Sequence, residues 1–132
     1  MSKRIAAISV ATFVMPPVVA AFERLWPEAE LSNILDEGLF RDRGRSDGLT
    51  RPLFDRIVRL GDYARDSGAE AILYTCSAFG AAIEQVQRSF AIPVLKPNEA
   101  MFEAALAKGE RIGMLATAPF AVAQMEEEVA EL

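Results

Sequence analysis

Apolar positions along the chain follow two rhythms: short continuous runs, and longer stretches in which apolar residues recur three or four apart. The first run, Ile5-Ala6-Ala7-Ile8-Ser9-Val10, predicts a buried strand over residues 4–10. Val18, Phe22 and Leu25 then stand at helical spacing, so a helix is expected to start near Pro16 and to end at Trp26-Pro27. Residues 30–35 read as a weaker strand, and residues 38–48, crowded with Arg and Asp, as a polar loop. Leu53, Ile57, Leu60 and Ala64 mark the core face of a second helix that stops near Gly68. Ala69-Glu70-Ala71-Ile72-Leu73-Tyr74 is the third predicted strand and runs directly into Thr75-Cys76-Ser77. A helix over residues 78–89 follows, then the short strand Ile92-Pro93-Val94-Leu95, then a helix opened by Pro97 that ends near Gly109. Residues 111–116 form a further predicted strand, and Pro119 opens a last helix whose Glu126, Glu127 and Glu128 are expected to face solvent. Strand and helix alternate throughout. That order predicts a three-layer α/β domain, a parallel sheet with helices on both faces.

The first strand and helix together imitate a secretory signal: Lys3 and Arg4 precede an apolar stretch over residues 5–22, with Ala20-Ala21 as a small-residue site. Ser9, Thr12 and the pair Pro16-Pro17 interrupt that stretch, and two prolines forbid a continuous spanning helix. A cytoplasmic protein with no membrane partner is therefore expected. Arg111-Ile112-Gly113-Met114-Leu115-Ala116-Thr117 echoes the design of residues 4–12: an Arg, a buried run, and a small-plus-hydroxyl exit into a Pro-started helix. Such a short echo arises readily by chance in α/β proteins.

Composition narrows the chemistry. The 132 residues suffice for one compact domain and are short for two. Fourteen Lys and Arg against nineteen Asp and Glu give a net charge of -5, which argues against a nucleic-acid partner. Hydrophobic residues at 52% are enough to fill a core. There is no histidine, which removes Ser-His-Asp and Cys-His dyads and almost every zinc or iron site. Cys76 is the only cysteine, so no intrachain disulfide forms and a reducing compartment is expected. No Gly-rich phosphate loop is present, so no nucleotide cofactor is expected.

Thr75-Cys76-Ser77 lies where parallel sheets bind ligands, just past a strand's carboxyl end and before a helix. A helix N-terminus there would attract a carboxylate and lower the thiol pKa, small residues (Ser77, Ala78, Gly80, Ala81) would admit a ligand to the backbone, and the Thr75 and Ser77 hydroxyls would donate to an oxyanion. A buried cysteine acting as a small hydrophobe is the competing reading.

The segments Thr75-Cys76-Ser77-Ala78-Phe79-Gly80-Ala81-Ala82-Ile83-Glu84, Ile92-Pro93-Val94-Leu95-Lys96-Pro97-Asn98-Glu99-Ala100-Met101 and Arg111-Ile112-Gly113-Met114-Leu115-Ala116-Thr117, in this order and spacing, resemble the aspartate/glutamate/hydantoin racemase superfamily, which includes arylmalonate decarboxylase and maleate isomerase. The likeness extends to the Asp36-Glu37 exit from the second strand. It implies a flavodoxin-like half of a pseudo-twofold, two-domain racemase fold, with residues 1–109 as the first domain and 110–132 as the opening strand and helix of an incomplete second one. It also implies cofactor-independent acid-base chemistry at the α-carbon of a small carboxylate or amino-acid-like substrate. Cys76 matches the first-half catalytic cysteine, Thr75 and Ser77 its flanking loop, Thr12 the first-strand loop, and Thr117 the corresponding loop of the second half. Racemases of this kind use two thiols, one for each face of the substrate, and the chain ends at Leu132 before a second could appear. A one-thiol decarboxylase, or a non-catalytic carboxylate-binding or oligomerising domain, is the alternative. Self-association through the segment after Arg111 is expected, which makes a homo-oligomer.

Other residues are weaker candidates. Arg41, Arg43, Arg45 and Arg51 could clamp an anion, but Asp42 and Asp47 alternate with them as in a solvated loop. Asp36 and Glu37 could serve as acid-base groups, or simply open a loop and contact a helix cap.

Overall fold

The computed structural model describes residues 2–132. Four strands form one all-parallel sheet in the order β2-β1-β3-β4: β1 (Arg4–Ser9), β2 (Glu30–Leu35), β3 (Ala71–Tyr74) and β4 (Val94–Leu95). Ile8 is in register with Ile34 on one side and Tyr74 on the other, so β1 is one of the two inner strands, and it is buried from Ile5 onward. Side chains alternate across the sheet. Ala6, Ile8, Val10, Ile72, Tyr74 and Val94 share one face and meet the helices α2 (Glu37–Gly44), α3 (Arg51–Asp66) and α4 (Gly80–Ser89) in the main core. On the other face α1 (Met15–Leu25) lies against β2, with Val19 and Phe22 beside Leu31. The fold is thus a three-layer α/β domain of the flavodoxin-like kind. Beyond β4 come α5 (Glu99–Leu106), a 3-10 turn (Pro119–Ala121) and α6 (Val122–Ala130).

α3 is the central packing element. Leu53, Ile57, Gly61 and Ala64 form its buried stripe, and the Tyr74 hydroxyl crosses to donate to the Ile57 carbonyl at 2.9 Å. Gly61 is needed for close approach, since a Cβ there would stand 2.6 Å from that hydroxyl oxygen and 3.0 Å from Val86. α3 ends where predicted. Gly68 turns at φ +89°, and the Ala69 amide returns to the Ala64 carbonyl at 3.1 Å.

Several expectations are corrected. Residues 38–48 are not a polar loop: most belong to α2, which buries Leu39 completely and Phe40 partly beneath its charged surface. Arg56 from α3 fastens the start and middle of that helix, holding Asp36 at 2.8 Å and Asp42 at 2.7 Å. Leu25, assigned to a core face, is 73% exposed because α1 covers the edge of the sheet and buries no residue fully. β3 and β4 are shorter than predicted; Pro93 has no amide to donate, although its carbonyl accepts from Ile72 at 2.9 Å. The helix after Pro97 begins at Glu99 and ends at Leu106. Residues 111–116 form no strand. Their pattern suits one, but no neighbouring strand supplies ladder partners, and extended backbone without a ladder stays irregular. Glu128 does not face solvent. Ala121, Met125 and Glu128 stand at i, i+4 and i+7, and that face of α6 packs inward.

Candidate functional site

The cleft forms at the carboxyl edge of the sheet, where the loops after β1, β3 and β4 converge and the segment after residue 114 folds across them. Its cavity is about 260 Å³. Thr75, Cys76, Ser77 and Thr117 all line it, so four of the five predicted site residues are brought together. Thr12 is not among them. It lies in a neighbouring groove with Glu37 and Arg41, which shares Phe13 and Phe40 with the cleft as a dividing wall.

Thr75 continues the pairing of β3 with β1. Its amide donates to the Ile8 carbonyl at 3.0 Å, and its hydroxyl reaches Ser9 Oγ at 2.9 Å and the same carbonyl at 3.2 Å. That hydroxyl therefore binds the strands together instead of donating freely to a ligand. This corrects the donor role expected for it and leaves Ser77 and Thr117 as the cleft's hydroxyls.

Cys76 has extended backbone (φ −130°, ψ 123°), and a 3-10 turn over Ser77–Phe79 separates it from α4. The thiol is half-buried. Burial pushes its pKa up; the Ala78 amide and the Arg43 guanidinium pull it down, but less. The expected depression of the thiol pKa is therefore reversed. The helix begins only at Gly80, too far along to offset desolvation. Arg43 is itself engaged. Its Nε donates to the Ala78 carbonyl at 3.3 Å, and its guanidinium lies 5.5 Å from the centre of the Phe120 ring.

Asp36 is unavailable as an acid-base group, because Arg56 grips both its oxygens at 2.8–2.9 Å. Salt-bridged to two carboxylates, Arg56 is pushed up in pKa. Arg51 pairs with Asp55 on α3 at 2.9 Å, a solvated contact. Of the candidate arginines, Arg43 packs beside the cleft on the Phe120 ring, and Arg41 lines the neighbouring groove.

Sequence reasoning missed two features. The first is an aromatic chain along one wall: Phe13 meets Phe40 edge-on at 5.8 Å, and Phe40 meets Phe120 at 5.4 Å. The second is a polar cluster behind Asn98, which lines the cleft while its side-chain nitrogen is buried without a hydrogen-bond partner. Lys96 there pairs with Glu84 at 3.2 Å with only 11% of its side chain exposed. Glu128, 4% exposed, has no hydrogen-bond partner on either carboxylate oxygen. Burial raises its pKa, against the opposing pull of Lys96 and Asn98. Among the described residues, no group of three or more His, Cys, Asp or Glu is placed to hold a metal.

A family profile described as Asp/Glu/Hydantoin racemase matches residues 41–132, more than two thirds of the chain and all of the cleft-lining residues from Thr75 onward. The chain belongs to the Asp/Glu/hydantoin racemase family. No curated protein matches it. The family match takes in Cys76, Ser77, Asn98 and Thr117, whereas Thr12, Asp36 and Glu37 precede it. No helix among the described residues is long and apolar enough to cross a membrane.

Proposed function

We propose that this racemase-family chain supplies one side of a cofactor-independent site that moves a proton at the α-carbon of a small carboxylate, with Cys76 as the acid-base thiol. The observation that carries the reading is the meeting of Cys76, Ser77 and Thr117 in one cleft at the carboxyl edge of the sheet, within a chain of this family. The Cys76 thiolate would take the α-proton, and the electron pair of the broken C–H bond would pass into the carboxylate as an enediolate. Ser77, Thr117 and loop amides would donate to its oxygens, and a proton returned to the α-carbon would close the cycle. Delivery from the opposite face makes the outcome racemisation and requires a second acid from outside this cleft. In this reading residues 110–132 are the opening of a second α/β unit. A cytoplasmic homo-oligomer acting without a cofactor completes the proposal.

The raised thiol pKa favours a second reading. A thiol kept neutral by burial is a better proton donor than base, which suits one-face protonation of a decarboxylation intermediate. Incubation with small 2-substituted carboxylic acids and with 2-substituted malonic acids in deuterium oxide separates the two. Racemisation is expected to give α-deuterium in the monoacids together with loss of optical rotation; decarboxylation breaks the bond to one malonate carboxylate, releases carbon dioxide and leaves a monoacid with deuterium delivered to one face. Failure of every monoacid to acquire α-deuterium and of every malonic acid to lose carbon dioxide, with the protein folded, would refute both.

A further inference from the structure

Behind the cleft lies a polar cluster that the proposed chemistry does not use. Glu128 comes from α6, Lys96 and Asn98 from the segment after β4, Glu84 from α4 and Glu99 from the start of α5. Both Glu128 carboxylate oxygens and Asn98 Nδ2 are buried without a hydrogen-bond partner. The two groups are complementary: Nδ2 carries donors, the ionised carboxylate only acceptors, and the Asn98 amide favours the charged form of Glu128. Asn98 also lines the cleft with Cys76, Ser77 and Thr117. One amide thus borders both the buried carboxyl and the thiol site.

Lys96 is the cation facing Glu128, and it is shared with Glu84 at 3.2 Å; Glu84 and Glu99 oppose the charge on Glu128. The 3-10 turns packed on α6, Ser77–Phe79 and Pro119–Ala121, bring no charged side chain, and Glu126 and Glu127 on α6 itself are exposed. What the carboxyl offers Asn98 depends on its proton. An ionised carboxylate only accepts, which draws Nδ2 inward and leaves Oδ1 to the cleft. A protonated carboxyl has an O–H to donate, and a buried donor left unmatched is costly. A half-turn about the Asn98 Cβ–Cγ bond, a soft torsion, brings Oδ1 to that O–H and turns Nδ2 toward the cleft.

We infer that Glu128 is a positioning residue for Asn98: its ionised form sets the amide to offer the thiol cleft an acceptor, and its protonated form sets it to offer a donor. A donor steadies negative charge on a thiolate or an enediolate, and an acceptor opposes it. The consequence for turnover rests on the acid-base reading of Cys76 given above. The test reads the amide and the thiol, not turnover, so its failure leaves that reading standing.

In the full chain, the side-chain amide signals of Asn98, assigned by their loss in Asn98→Ala, are followed by heteronuclear NMR while the Glu128 carboxyl is titrated by carbon NMR. The Asn98 signals are expected to shift with the midpoint of Glu128, and to stay fixed in Glu128→Gln, whose amide mimics the protonated acid. Because Cys76 is the only cysteine, its alkylation by iodoacetamide is read directly by intact mass. Glu128→Gln is expected to lower the alkylation midpoint by about half a pH unit, which raises the rate below the midpoint about threefold. In an Asn98→Ala background the same substitution is expected to leave the midpoint unchanged. An equal fall in both backgrounds would show the Glu128 charge acting across space, and no fall in either would show no coupling; each result overturns the inference. So would Asn98 signals that stay still while Glu128 titrates in the unsubstituted chain, a measurement that depends on no variant's folding.

Discussion

At Cys76 the competition is between desolvation, which favours the neutral thiol, and two weaker influences, the Ala78 amide and Arg43, which favour the thiolate. Burial wins, so alkylation followed against pH is expected to show a midpoint above the ordinary thiol value of about 8.5. Denaturation should bring it back down, and Arg43→Ala should move it further up by removing the one cation nearby. A midpoint below the denatured value would contradict this balance. The sign fixes a stability trend as well. The unfolded chain releases the thiol proton first, so this group's contribution falls as pH rises through about 8.5 and levels off once the folded thiol titrates. Glu128 behaves alike in the acid range, facing Lys96 and Asn98 with Glu84 and Glu99 nearby. Its raised pKa means that stability is lost as pH rises above the ordinary carboxylate value of about 4.3, until the folded carboxyl ionises. Glu128→Gln removes that dependence and leaves Lys96 paired with Glu84. Hydrogen exchange of the α6 amides at neutral pH should slow in this variant, and unchanged or faster exchange would show that the carboxylate anchors the helix.

Among the elements, α3 carries the largest share of the core, since Ile57 is 1% exposed and Gly61 lets Tyr74 and Val86 approach it. Ile57→Ala is expected to cost about 2–5 kcal/mol by leaving a cavity. Gly61→Ala is expected to cost about 1–3 kcal/mol by overpacking. Chemical denaturation measures both, and a neutral Gly61→Ala would mean that Tyr74 can move aside without losing its bond to the Ile57 carbonyl. Elements whose periodicity matches their burial were legible from the sequence: β1, β3, α3 and the junction at Thr75-Cys76-Ser77. α2 was not, because Leu39 and Phe40 are outnumbered by charges, and the Arg56 clasp that steadies it joins residues 20 and 14 positions apart. Residues 111–116 failed in the opposite way. Their local pattern is that of a strand, but a strand needs neighbours that no local pattern reveals. The cleft was legible in Cys76, Ser77 and Thr117. The turning inward of the Thr75 hydroxyl depends on register with Ser9, which a linear reading does not supply. The inward face of α6 was available in the spacing of Ala121, Met125 and Glu128, but the run of three glutamates masked it.

Over the whole molecule, one end of the chain is well packed and the other is open. The main core gathers β1, β3 and the helices α2, α3 and α4, while Phe102, Ala121 and Met125 form a separate small cluster. Between that cluster and solvent run Ile112, Met114 and Leu115, the last 96% exposed. Apolar surface of this kind associates, and sedimentation is expected to show a dimer or larger species at tens of micromolar, roughly the range in which such surfaces meet. Leu115→Glu should shift the distribution toward monomer. A stable monomer before the substitution would remove the case for association through this segment. The proposed function joins both ends of the molecule: Cys76, held at the sheet edge beneath that open segment, would move the α-proton of an acid bound beside it. The most direct measurement compares the pH dependence of α-deuterium incorporation with that of Cys76 alkylation in the same protein. The expected result is one shared midpoint for both, with exchange reduced about 10²–10⁴-fold in Cys76→Ser. Exchange that persists in Cys76→Ser, or that follows a midpoint in the carboxylate range, would contradict the account.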